Sequence, residues 1–160
     1  MKALYNTMTY SPIIIANYFI QEKGKFGKLT PMKLIKLTYL AYSWYLTLNN
    51  GKERLTFEKP QAWDYGPVFP SLYQSLKRYG RTEIGSILHY DKDEVIDTAD
   101  SEFLNKIWSM YGKYDGVQLS AMTHSEDTPW KSNHTKGYNY EISDEAILEH
   151  YIPKLKPVNS

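Results

Sequence analysis

Four potential metal ligands fall within one short stretch of the sequence, residues 124–134. They are His124, Glu126, Asp127 and His134. Two imidazoles and two carboxylates are donors that zinc or manganese accepts, but their spacing matches no H-E-x-x-H pattern. A hydrogen-bonded structural network, or recognition of a partner, would use the same residue types. We therefore predict no metal and no cofactor.

A serine–histidine pair offers a second chemistry, because Ser120 precedes His124 by four residues and both could share one face of a helix. The common hydrolase turn has the form G-x-S-x-G, which residues 118–122 do not form. The carboxylates within 91–102 indicate a solvated turn and helix start rather than a pair for glycoside cleavage. We predict no catalytic residue, so the chain is not expected to be an enzyme.

The basic segment 23–36 raises two forms of phosphate recognition. A nucleotide-binding loop around Gly27-Lys28 would need a glycine at Glu22 and a serine or threonine at Leu29. For nucleic acid, the lysines of the segment have only one interleaved aromatic residue, Phe26, and form no recognition-helix pattern. These lysines are Lys23, Lys25, Lys28, Lys33 and Lys36. The sequence thus excludes a nucleotide site and does not favour nucleic-acid binding.

Composition narrows the class of protein further. The chain has 160 residues, which predicts a single domain over 1–160 with a core at roughly 10–153. Its lack of cysteine excludes disulfides, zinc–thiolate and iron–sulfur sites, and cysteine nucleophiles. The net charge of +1 argues against a purely electrostatic nucleic-acid binder, although residues 1–60 carry +6 and 61–160 carry −5. No apolar run is long enough to cross a membrane, so we expect a cytoplasmic protein.

Aromatic residues are abundant and predominantly tyrosine. Tyrosine accounts for 15 residues, and aromatic residues make up 15% of the chain. Tyrosine and tryptophan join a large apolar body to a polar tip, which suits half-buried positions and interfaces. This composition favours a protein that binds another protein.

Helices must supply most of the elements that position these residues. Ser11-Pro12 and Thr30-Pro31 each combine a capping side chain with a proline at the first helical position. They predict a first helix up to Gly24 and a second helix of about 18 residues. An apolar face makes this second helix the centre of the core; it consists of Leu34, Leu37, Ala41 and Trp44. Four further helices are predicted around 72–79, 103–111 and 116–122, and after Ser143.

Short strands complete the predicted fold. Alternating apolar residues indicate strands at 55–58, 84–90 and 138–142. The segment 66–70 is predicted to be a turn, with both of its prolines in the first turn of the next helix. The fold class is therefore predominantly helical α+β, a single domain of five or six helices around an aromatic-rich central helix with a small antiparallel β element.

Three segments of the sequence are distinctive without indicating catalysis. They are the lysine- and leucine-rich aromatic helix 30–46, the turn Ala62-Trp63-Asp64-Tyr65-Gly66-Pro67-Val68, and Leu119–Glu126 closed by Pro129-Trp130. In this order they resemble the Panacea-domain antitoxins, also described as SocA-like or phage-associated GepA-like proteins. The family pattern joins such a helix to A-W-x-Y-G-P-V and L-x-x-x-T-H-x-E-x-x-P-W. Ile35, Tyr42 and Ser43 depart from it, and we expect these departures to alter the surface of the helix.

The resemblance implies a cytoplasmic bacterial, phage or prophage antitoxin that neutralises a cognate protein toxin, encoded by a neighbouring gene, by direct binding. One branch of the family delivers its toxin to a protease, which leaves a proteolytic adaptor as an alternative. A phage-encoded regulator that contacts nucleic acid through residues 23–36 is a further alternative. Neutralisation needs an interface of roughly 800 Å² per partner with a few aromatic anchors.

The resemblance also singles out seven residues as a toxin-binding or signature cluster. They are Trp63, Tyr65, Gly66, Pro67, His124, Glu126 and Trp130. The turn could present Trp63 and Tyr65 to a toxin, or Trp63 could pack internally while Gly66-Pro67 redirects the chain. His124 and Glu126 could share a hydrogen bond beside Trp130, for recognition or as internal scaffolding.

Overall fold

The structure, a computed structural model, describes residues 9–137 and 139–155. Within these ranges the chain forms seven α-helices and one three-stranded sheet. The helices are α1 Pro12–Lys23, α2 Pro31–Leu48, α3 Pro70–Leu76, α4 Thr98–Tyr111, α5 Gly116–Thr123, α6 Pro129–His134 and α7 Asp144–Tyr151. The strands are β1 Gln61–Trp63, β2 Gly66–Val68 and β3 Tyr140–Glu141. The predicted class, predominantly helical α+β, is confirmed. The predicted helix count misses α6, which at six residues is too short to show an apolar period.

Helix α2 lies at the centre of the fold, with α1, α3, α4, α5 and α7 packed around it. Leu34, Leu37 and Ala41 are fully buried and Trp44 is nearly so. The three departures from the family pattern within this helix are buried as well. The expectation that they alter the helix surface is therefore wrong, because a helix covered on every side has no solvent-facing stripe.

Side-chain caps fix where the helices begin, largely as predicted. Thr30 Oγ1 accepts from the Lys33 N–H at 3.3 Å, and Ser11 Oγ accepts from the Ile13 N–H at 3.1 Å. Asp115 and Gln118 form a reciprocal capping box at the start of α5. These bonds satisfy N–H groups that have no partner within their own helix.

The sheet is antiparallel, in the order β2-β1-β3, and its first two strands form a hairpin at residues 61–68. Gln61 pairs with Val68 and Trp63 with Gly66. The predicted turn is thus a hairpin, and Pro67 lies in β2 rather than in the first turn of α3. Only Pro70 occupies that helical position. Strands of three residues are too short for alternation to be visible in the sequence.

The strands predicted at 55–58 and 84–90 are wrong. In the first, Thr56 forms only an isolated bridge with Tyr10. In the second, the chain runs without regular structure, and the Asn17 side chain both accepts from the Leu88 N–H and donates to the Leu88 carbonyl. A side chain therefore supplies the bonds that a neighbouring strand would have made. The strand predicted at 138–142 contains β3. Tyr138 lies outside the described residues.

No helix within the described ranges has both the length and the apolar character needed to pass through a bilayer.

Candidate functional site

Lys36, on α2, holds the hairpin through its main chain. Its Nζ atom donates to the carbonyl oxygens of Tyr65 and Pro67, each at 3.0 Å. The side chain is 3% exposed, and within the described part of the chain no carboxylate pairs with it. Burial lowers the pKa of Lys36 to about 7, because an ammonium is costly to remove from water without an acidic partner. Two peptide oxygens thus take the place of a counter-ion.

Gly66 lets the hairpin approach this lysine. Its φ is +112°, a conformation that residues with a side chain rarely adopt. A Cβ atom at this position would stand 2.8 Å from Lys36 Nζ and 3.4 Å from both Cβ and Nδ1 of His124. The glycine of the signature turn is therefore required by both backbone geometry and space.

Helices α5 and α6 hold the other side of the hairpin. Ser120 Oγ donates to the Tyr65 carbonyl at 3.2 Å, and Trp130 Nε1 donates to the Trp63 carbonyl at 2.5 Å. His124 Nδ1 lies 2.5 Å from the carbonyl of Ser120, to which it donates. The His124 ring meets Trp130 edge-on, with centroids 5.3 Å apart. The signature segment 119–130 thus holds the signature turn 62–68 by binding the main-chain oxygens of that turn.

The structure decides between the alternatives that the sequence left open for the signature side chains. The expected bond between His124 and Glu126 is not formed: Glu126 is exposed, with its Oε1 3.4 Å from Lys131 Nζ. Trp63 is half-buried and packs edge-on against Tyr73 at 5.0 Å. Tyr65, in contrast, is 78% exposed. Of the seven singled-out residues, Tyr65 and Glu126 are the ones whose side chains face solvent.

The candidate metal ligands are engaged in other contacts. His134 Nε2 lies 3.0 Å from Asp64 Oδ1, and its ring stacks on Trp130 at 4.4 Å. Asp127 accepts from the Ser125 hydroxyl at 2.9 Å. Across residues 9–137 and 139–155, no three histidine or carboxylate side chains form a group that could hold a metal ion. The two histidines pack against Trp130, whereas the two carboxylates contact Lys131 and Ser125.

Sequence reasoning missed the role of two lysines. Lys33 and Lys36 belong to the basic segment 23–36, yet both are buried. Lys33 Nζ donates to the Gly112 carbonyl at 2.6 Å and lies over the Trp108 ring. Burial lowers its pKa, opposed in part by the carboxylate of Asp115. The available signal was position: both lysines flank Leu34 and Leu37 in a helix whose other residues are almost all apolar.

The buried lysine predicts a pH-dependent stability. Between pH 7.5 and 9 the unfolded side chain, with its ordinary pKa of 10.5, is protonated, whereas most of folded Lys36 is deprotonated. Since the unfolded state then binds more protons, the free energy of unfolding should rise with pH, by about 1–2 kcal/mol over this window. Urea unfolding at both pH values measures this change.

Two variants control that measurement. Lys36→Met should lose the rise, whereas Lys28→Met, at an exposed position, should keep it. A wild-type free energy of unfolding that is flat or falls between pH 7.5 and 9 would contradict the prediction, whether or not Lys36→Met folds.

A family model described as "Antitoxin SocA-like, Panacea domain" matches residues 34–131, more than half of the chain. The chain belongs to this Panacea-domain family. The matched range contains Lys36, the hairpin, Ser120 and Trp130, so the bonds that hold the hairpin lie within the Panacea domain, whereas Lys33 and His134 lie just outside the match. No curated protein and no solved structure gives a significant match to the chain.

Proposed function

We propose that this Panacea-domain protein is an antitoxin that neutralises a cognate protein toxin by binding it directly. The observation that carries the proposal is the family match over residues 34–131, which includes the whole hairpin and its supports. In this arrangement the main chain of the hairpin is fixed from behind, while the Tyr65 side chain projects into solvent. A rigid backbone that displays an aromatic side chain is a common form of interface anchor.

The burial of Lys33 and Lys36 also bears on the nucleic-acid alternative. Of the five lysines in the basic segment, these two point into the core and are bonded to carbonyl oxygens. Phosphate binding through residues 23–36 would therefore rely on the three remaining lysines. This favours a protein as the partner over nucleic acid.

Co-expression tests the proposal. The gene adjacent to this one is expressed alone and together with the antitoxin candidate, and growth and co-purification are measured. We expect the neighbour alone to stop growth, and the pair to grow and to co-purify. Absence of both rescue and co-purification would overturn the proposal, and a shortened toxin half-life that depends on a cellular protease would instead favour the adaptor alternative.

Tyr65→Ala should weaken toxin binding about tenfold or more without affecting the fold. The substitution removes an exposed ring but keeps the carbonyl that Lys36 and Ser120 bind. Isothermal titration with the purified toxin measures the change. Phe26→Ala is the matched control, since Phe26 is 63% exposed and lies outside the matched family range. Equal effects of the two substitutions would show that Tyr65 is not an anchor.

A further inference from the structure

An open pocket of about 380 Å³ lies beside the hairpin. Its walls come from the start of α2 (Met32, Ile35 and Lys36), from the half-buried ring of Trp63, and from Tyr73 and Leu76 on α3. The volume is within the range of sites that bind small organic groups. It is large enough for one aromatic or aliphatic side chain together with a neighbouring polar group.

The lining of this pocket contains two lysines and one carboxylate. Lys36 forms part of the wall, and an ammonium has three N–H donors. Two of them go to the carbonyls of Tyr65 and Pro67, and the structure shows no third acceptor for Lys36 among the residues it describes. Lys77 adds a second cation to the lining. The carboxylate of the lining, on Asp64, is paired with His134.

The pocket therefore offers apolar walls together with a buried cation that lacks an acid. We propose that it docks a segment of the partner protein in which an apolar side chain stands next to a carboxylate, with that carboxylate accepting the third N–H bond of Lys36. This inference rests on the proposed function, because it specifies how the toxin is recognised. A buried charged hydrogen bond formed in this way would be stronger than a neutral one.

Charge and shape can be tested without the toxin. The probes are 3-phenylpropionate and its neutral analogue 3-phenylpropionamide, titrated at pH 6.5 into ¹⁵N-labelled full-length protein and followed by NMR. We expect the acid to bind about tenfold more tightly than the amide, with shift changes centred on Met32, Trp63 and Tyr73. Equal affinities, shift changes elsewhere, or no binding of the acid in the millimolar range would overturn the proposal.

Variants of the pocket sharpen the test. Lys36→Met should abolish the preference for the acid over the amide. In case that variant does not fold, Met32→Glu puts a repelling carboxylate in the lining at the second residue of α2, a position where an acidic side chain favours the helix. Val117→Glu is its matched control, because it makes a similar change at the second residue of α5, where the side chain is 72% exposed and does not line the pocket.

We expect Met32→Glu to weaken binding of 3-phenylpropionate about tenfold or more and Val117→Glu to leave it unchanged. A similar loss in both would overturn the proposal, since it would reflect net charge alone. Binding of the toxin to wild type and to Met32→Glu distinguishes the docking pocket from the antitoxin function. If wild type does not bind the toxin, the proposed function fails while the probe result stands. If the toxin binds wild type and Met32→Glu equally, the docking pocket is refuted while the antitoxin function stands.

Discussion

Gly66→Ala is expected to lower the free energy of unfolding by about 2–4 kcal/mol. The new alanine would have to adopt a φ of +112°. Its Cβ atom would stand 2.8 Å from Lys36 Nζ. The lysine terminus is normally easy to displace, but here it is buried and bonded to two hairpin carbonyls. Moving it removes the lysine bond to the Pro67 carbonyl and leaves the Tyr65 carbonyl with Ser120 as its side-chain donor, which adds to the backbone strain.

Two other glycines separate these causes. Gly80 has a φ of +59° with no atom near its missing Cβ, and Gly85 has neither a positive φ nor a close neighbour. Urea unfolding should therefore rank the alanine variants in the order Gly66 most destabilised, then Gly80, then Gly85. A Gly66→Ala variant no less stable than Gly80→Ala would show that the approach of Lys36 to the hairpin does not constrain this position.

Leu37→Ala should be among the most destabilising substitutions in the chain, at about 2–5 kcal/mol. Leu37 is fully buried on α2, the helix against which five others pack. Removing most of its side chain leaves a cavity that rigid neighbours on several sides cannot close. The measurement is the urea midpoint together with its slope.

Leu48→Ala provides the matched control on the same helix. Leu48 is the last residue of α2 and is 59% exposed. Because the chemical change is identical and both residues are helical, the difference between the variants isolates burial. We expect Leu48→Ala to lose less than about 1 kcal/mol. Similar losses for the two variants would contradict the central position of α2.

Six of the seven α-helices in the described ranges were predictable from the sequence because their signals are local, whereas α6 is too short to show an apolar period. Ser11, Thr30 and Ser143 each cap a helix that begins at the next residue, as predicted. The apolar face of α2 gave its position in the core, although its complete burial required knowledge of what covers it. Capping and periodicity involve residues within one or two turns, so sequence alone suffices.

The hairpin and its supports were not predictable in the same way. Lys36 reaches Tyr65 from 29 residues away, and Trp130 reaches Trp63 from 67 residues away. A lysine that bonds two carbonyls has the same letter as one on the surface, and only tertiary contacts distinguish them. The pairing of His124 with Ser120 rather than Glu126 likewise depends on how the chain turns after α5.

The way the hairpin is anchored affects how its sequence can evolve. Lys36, Ser120 and Trp130 all bind carbonyl groups, which every amino acid possesses. Apart from Gly66, an amino acid exchange in the hairpin therefore keeps the carbonyl groups that these three side chains bind. Under this arrangement, the exposed side chains of the hairpin can change during evolution while the supporting framework stays constant.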